Sequence, residues 1–289
     1  MRWTRGRRSK NVEDRRFQTG RGRAVKGTGL GLGGLVILLL LSLFTGQDFL
    51  SLFGGTEALV PTGQPGGQGG PRVTSPEEEE LAEFLHFLID DIQEEWHRLL
   101  PQVGGTYRDA TLVLFRDATQ SACGVGRSST GPFYCPGDQN VYIDLSFYDQ
   151  LQDRFGAPGD FAQAYVIAHE IGHHVQTLLG IERQVREVQR ADPRLRNQYS
   201  IAMELQADCL AGVWGYTANR DGILERGDIE EGLRAASAIG DDRIQRQTTG
   251  YVSPETWTHG SSEERAYWLA RGLESGDPDF CDTFAEMER

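Results

Sequence analysis

The sequence predicts a helix-rich α+β domain with a small β-sheet, preceded by one transmembrane helix. Three observations carry that expectation: an uncharged apolar stretch over residues 27–47, two short segments rich in β-branched and aromatic residues, and long breaker-poor amphipathic stretches around them. Of the 289 residues 38% are hydrophobic, and mean hydropathy is -0.44. Such a composition suits a globular body with one membrane span at most, not a bundle of spans.

The charge is divided along the chain. Residues 1–26 hold ten Lys/Arg and two acidic residues, a balance of +8, which leaves 19 basic and 40 acidic residues, or -21, for the rest. An acidic body argues against nucleic acid as a partner, because phosphate binding needs a basic surface that displaces counterions. Gly27 to Gln47 carries no charge and includes the run Leu35 to Phe44, roughly the ~20 residues needed to cross a bilayer. With Arg2, Arg5, Arg7, Arg8, Arg15, Arg16, Arg21 and Arg23 ahead of it, the positive-inside tendency predicts a cytoplasmic N-terminus over 1–26 and an extracytoplasmic body. The expected location is therefore the cell membrane, single-pass, with the lipid bilayer as a partner. A cleaved signal peptide is the competing reading, but no small-residue cleavage site follows Phe44.

Residues 48–75 read as a linker, since Gly54 to Ser75 is rich in Gly, Pro, Gln and Thr and cannot bury enough apolar surface to fold. The folded domain is expected over 76–289. Ser75-Pro76-Glu77-Glu78 reads as a helix start, with Ser75 as N-cap and acids complementing the helix dipole. Leu81, Phe84, Leu85, Leu88, Ile89, Ile92 and Trp96 then recur at helical spacing toward Leu100. His86 and His97 on that helix read as ordinary surface or boundary residues. Thr111 to Phe115 and Asn140 to Leu145 are candidate strands, separated by the turn-rich stretch Ser121 to Asp138. From Asp160, read as an N-cap, Phe161 to Leu179 show no breaker except Gly172, and Gly180 fits a C-terminal stop.

Cys123, Cys135, Cys209 and Cys281 are even in number and lie in a body expected outside the cytoplasm, so two disulfides are expected. Of the three pairings, Cys123 with Cys135 closes a local loop and leaves Cys209 with Cys281. A four-cysteine zinc site would want close C-x₂₋₄-C pairs, which are missing.

His169-Glu170-Ile171-Gly172-His173 is an H-E-x-x-H sequence inside an expected helix. Positions i and i+4 share a face, so both imidazoles can reach one Zn²⁺ while Glu170 sits beside it as general base. Glu204-Leu205-Gln206-Ala207-Asp208, in another expected helix, supplies the rest. Two His and one Glu form a catalytic zinc set that leaves a coordination position open. Asp208, on the same face as Glu204, can hydrogen-bond a ligand imidazole, that of His169. His174 is rotated away from the metal face and reads as structural. His259 lies in a polar turn and is a candidate catalytic residue that stabilises the oxyanion of peptide hydrolysis.

Ala168 to Val175 and Glu204 to Gly212 (E-L-Q-A-D-C-L-A-G) resemble the bacterial putative neutral zinc metallopeptidase family. The resemblance extends through Asn11 to Arg16, Gly131 to Asp144, Ala235 to Ile244 and His259 to Arg265, and so covers nearly the whole chain. Glu204 to Asp208 beside the H-E-x-x-H is similar to the gluzincin arrangement, which implies a zincin-like metallopeptidase domain. Thr258-His259 followed by Glu264-Arg265 is more loosely similar to membrane heat-shock-type peptidases, which carry Pro where this chain has Gly260.

The function expected from these residues is a membrane-anchored zinc-dependent endopeptidase acting on a protein or peptide substrate, with Zn²⁺ as cofactor. The alternative is a non-catalytic zinc-binding envelope scaffold or binding protein. A scaffold has no need of Glu170, which is not a ligand. The strand near Val141 to Leu145 is expected to line the cleft and to pair with an extended peptide.

Overall fold

The computed structural model describes residues 1–6, 8–17 and 74–285. Helix α1 (Pro76–Leu99) starts at Ser75, whose hydroxyl accepts from the Glu78 amide at 3.1 Å, with Pro76 and three glutamates in the first turn. It buries Phe84, Leu85, Leu88, Ile89, Ile92 and Trp96 along one face. These residues share one hydrophobic core with Leu112, Leu114, Val141 and Ile143 of a four-stranded sheet ordered β1 (Val12–Asp14), β2 (Thr111–Phe115), β6 (Asn140–Asp144), β5 (Phe133–Cys135). β1, β2 and β6 run parallel, and β5 closes the edge antiparallel to β6. A separate hairpin, β3 (Ala118–Ser121) and β4 (Gly124–Arg127), is tied to β5 by the Cys123–Cys135 disulfide.

The sheet corrects the expected membrane topology. Residues 1–17 pack into the same compact unit as the body that begins at Thr74, and β1 pairs with β2 in the register Val12 to Leu112 and Asp14 to Leu114. One span between them would put these hydrogen-bonded strands on opposite sides of a bilayer. The transmembrane helix expected over 27–47 lies outside the described residues. Among the described residues no helix is long and apolar enough to cross a membrane. The structure thus contradicts the expected single-pass location with a cytoplasmic N-terminus and an extracytoplasmic domain, on which the bilayer as partner rested.

The N-terminal arginines have another use. Arg16 pairs with Asp14, Glu78 and Glu79, Arg5 with Glu80, and Arg15 with Glu13. Arg16 thus answers the acidic first turn of α1, and Arg5 the residue that follows it.

The remaining α-helices among the described residues are α2 (Ser146–Asp153), α3 (Asp160–Leu178), α4 (Ile181–Ala191), α5 (Arg196–Arg220), α6 (Asp228–Ala238), α7 (Asp241–Thr249) and α8 (Ser262–Ser275). Gly159, at φ 125°, is the N-cap of α3, and Asp160 is its first residue rather than its cap. α3 is buried on most sides, which explains its breaker-poor, apolar sequence.

Two glycine contacts set how the helices approach. A Cβ on Gly172 would lie 2.9 Å from the Ala207 carbonyl oxygen, so α3 and α5 meet backbone to backbone. On Gly272 it would lie 2.0 Å from the Cys209 carbonyl oxygen, which presses α8 against α5. The Cys209–Cys281 disulfide then holds the chain after α8 to α5.

Candidate metal centre

The backbone contact at Gly172 brings the H-E-x-x-H face of α3 against the Glu204 face of α5. His169 Nε2 lies 3.2 Å from Glu204 Oε2, and His173 Nε2 lies 3.5 Å from Glu204 Oε1. One donor atom from each of the three residues falls within 4.8 Å of the others. Two imidazole nitrogens and a carboxylate at this separation suit the nitrogen and oxygen preference of Zn²⁺.

Each ring is held from behind. His169 Nδ1 is 2.8 Å from Asp208 Oδ1, and His173 Nδ1 is 2.8 Å from Gln176 Oε1. Asp208 also accepts from the Tyr165 hydroxyl at 2.5 Å and from Arg265, Nε to Oδ2 at 2.8 Å and Nη2 to Oδ1 at 2.9 Å. Tyr165 and Arg265 escaped the sequence reading, although Tyr165 precedes His169 by one turn on the same face of α3. Arg265 lies far from Asp208 in sequence, and the His259 to Arg265 resemblance that includes it assigns it no role; the physical signal is that a buried carboxylate needs a cation.

The electrostatics favour positive charge at this point. Burial opposes ionisation of His169, but the Asp208 charge and hydrogen bond outweigh it and raise its pKa to about 10. Burial likewise opposes the Asp208 carboxylate, and the Arg265 charge overcomes it, down to about 2. Glu204 is held well below the usual carboxylate range against burial, chiefly by the charge of His173. Glu170 goes the other way: burial raises its pKa, with the two histidines pulling against it. A carboxyl tuned upward, beside carboxylates tuned downward, is the pattern of a proton carrier next to fixed charges.

His169, Glu170, His173, Glu204, His259 and Arg265 line one cavity of about 520 Å³. His259 is half exposed there, and it is oriented by Asp241, which accepts from the His259 backbone amide at 2.7 Å and faces Nδ1 at 3.1 Å. The Asp241 hydrogen bond raises the His259 pKa, with burial opposing. Asp241 lies within the Ala235 to Ile244 resemblance, which assigns it no role. His174 is fully buried off the cavity, with Nδ1 3.0 Å from the Tyr134 hydroxyl and Nε2 2.6 Å from the Arg108 carbonyl. The strand facing the cavity is also not the expected one. β6 lies inside the sheet, and edge strand β5 supplies Phe133 and Tyr134 to the lining.

The profile of the family described as "Putative neutral zinc metallopeptidase" matches residues 1–284. The chain belongs to that family. Relatives of this zinc metallopeptidase family member include the Escherichia coli K12 protein "Uncharacterized protein YpfJ", 48% identical over 294 residues and covering 99% of each chain. "Uncharacterized protein Rv2575" of Mycobacterium tuberculosis H37Rv is 43% identical over 204 residues, 67% of each chain. No solved structure matches this chain.

Proposed function

We infer that this chain is a zinc-dependent endopeptidase. His169, His173 and Glu204 would hold the ion. When bound, Zn²⁺ supplies Lewis acidity that polarises a carbonyl and acidifies water. Glu170 takes the proton of the attacking water and returns it to the leaving amine, work suited to a buried carboxyl of raised pKa. His259, oriented by Asp241, donates to the oxyanion from the rim of the cavity. An extended peptide pairs with the edge strand β5 beside this cavity.

The observation that carries this reading is Glu170 itself. It is buried, stands beside the ligand set, lines the same cavity and is not needed to hold the ion. The test is metal content together with peptide-library cleavage, for the wild type and Glu170→Gln. One zinc per chain in both, with cleavage by the wild type alone, is the expected result. Zinc without cleavage in the wild type would favour a non-catalytic zinc-binding protein, and absence of zinc would overturn the site.

A further inference from the structure

His173 is held by a longer chain of buried groups than a ligand alone requires. Behind its Nδ1 stands Gln176 Oε1 at 2.8 Å. Gln176 Nε2 donates to the Met203 carbonyl at 2.8 Å and to Gln206 Oε1 at 3.0 Å. Gln206 Nε2 in turn donates to the Cys281 carbonyl at 3.0 Å. Gln176 is fully buried and Gln206 is 7% exposed, so water offers neither a replacement partner.

The polarity of this chain has one solution. Backbone carbonyls only accept, so the nitrogen of each glutamine must face Met203 and Cys281, and rotating either amide would set oxygen against oxygen. Gln206 then presents its oxygen to Gln176, and Gln176 presents its oxygen to His173. The imidazole must carry a hydrogen on Nδ1, so in the neutral ring the lone pair is on Nε2, the nitrogen on the side of Glu204.

The far end of the chain is a fixed arm. Cys281 closes a short 3₁₀ turn, Pro278–Cys281, bonded to Cys209 of α5 with the Cα atoms 5.5 Å apart. Beyond it the Thr283 hydroxyl donates to the Ala202 carbonyl at 2.7 Å. We propose that Gln176 and Gln206 are positioning residues that set the tautomer of His173 and couple it to this disulfide-closed C-terminal arm. The proposal rests on the reading of His173 as a metal ligand. It makes the arm part of the metal site although no atom of it reaches the cavity.

The test uses the full chain, with Zn²⁺ competed against a chromogenic chelator. Gln176→Leu weakens zinc binding by roughly 10–100-fold, the usual cost of losing a group that orients a ligand. Gln206→Leu costs less, because the Met203 carbonyl still holds Gln176. The double variant Cys209→Ser, Cys281→Ser weakens binding as Gln206→Leu does, and combining all three substitutions adds no further loss, since both act through one link. Nitrogen-15 spectra of zinc-free protein, at a pH where the ring is neutral, show His173 protonated on Nδ1 in the wild type and mixed in Gln176→Leu, which loses the oxygen that faces Nδ1. This readout needs only the glutamine variant, so it holds if the cysteine variant fails to fold. Zinc affinity and tautomer unchanged in both glutamine variants would overturn the proposal while leaving the metal site intact, and fully additive losses would sever the arm from it. A wild type that binds no zinc, or a His173→Ala variant that binds as well as the wild type, would instead remove the metal-site reading and the proposal with it.

Discussion

Arg265 grips Asp208 through two parallel hydrogen bonds, Nε to Oδ2 at 2.8 Å and Nη2 to Oδ1 at 2.9 Å, with both side chains buried. The guanidinium fork matches the carboxylate plane, and it keeps Asp208 ionised to accept from His169. Arg265→Met leaves a buried carboxylate without its cation, so a loss of about 3–5 kcal/mol is expected in chemical denaturation. Arg265→Lys keeps the charge but not the fork, and it should fall between the two.

His259 depends on Asp241 for its charge. The Asp241 hydrogen bond raises the His259 pKa, so the imidazolium persists above the ordinary histidine range and is lost as pH rises through that higher value. Asp241→Asn removes the cause, and the alkaline limb of the kcat/KM profile for peptide cleavage should move to lower pH. His259→Ala removes the donor altogether and should lower kcat by about 10²–10³ with zinc content unchanged. Unaltered profiles in both variants would take His259 out of the mechanism.

The contact of α8 with α5 tolerates no side chain at Gly272. A Cβ there would meet the Cys209 carbonyl oxygen at 2.0 Å and the Val213 amide at 2.8 Å, both backbone atoms that cannot rotate away. Gly272→Ala should cost about 3 kcal/mol by urea denaturation, at the upper end for overpacking, because it pushes apart the helices that carry Arg265 and Asp208.

These relationships also mark what could be read from the sequence. His169, Glu170 and His173 share one helix turn, and Glu204 and Asp208 share another, so helical periodicity alone puts each set on one face. Arg265, Asp241 and the Cys281 carbonyl come to the site through tertiary packing, which local periodicity does not encode. The N-terminus misled for a physical reason. Val12–Asp14 is too short to show strand alternation, and its flanking arginines beside an apolar stretch imitate the charge asymmetry of a membrane anchor. Edge strand β5 was hidden in the same way, as three residues within a stretch rich in Gly, Ser and Pro.

Because the arginines pair with the body, docking of the N-terminal strand should depend on pH. Burial opposes the Asp14 carboxylate, but the hydrogen bonds and charge of Arg16 prevail, and its pKa falls below the usual value. A folded pKa below the unfolded one makes the contribution complete above about pH 3.9, the ordinary value, and lost as pH falls through the lower folded value. Arg16 is itself buried against Asp14, Glu78 and Glu79, so protonating Asp14 weakens a network that holds β1 to the sheet. Protection factors at residues 12–14, taken against the intrinsic exchange rate at each pH, should therefore fall on acidification before those of the β2 and β6 amides. Asp14→Asn should show the lower protection already at neutral pH. Equal protection of β1 in wild type and variant across this range would mean that the strand is held by its backbone ladder and not by the ion pairs.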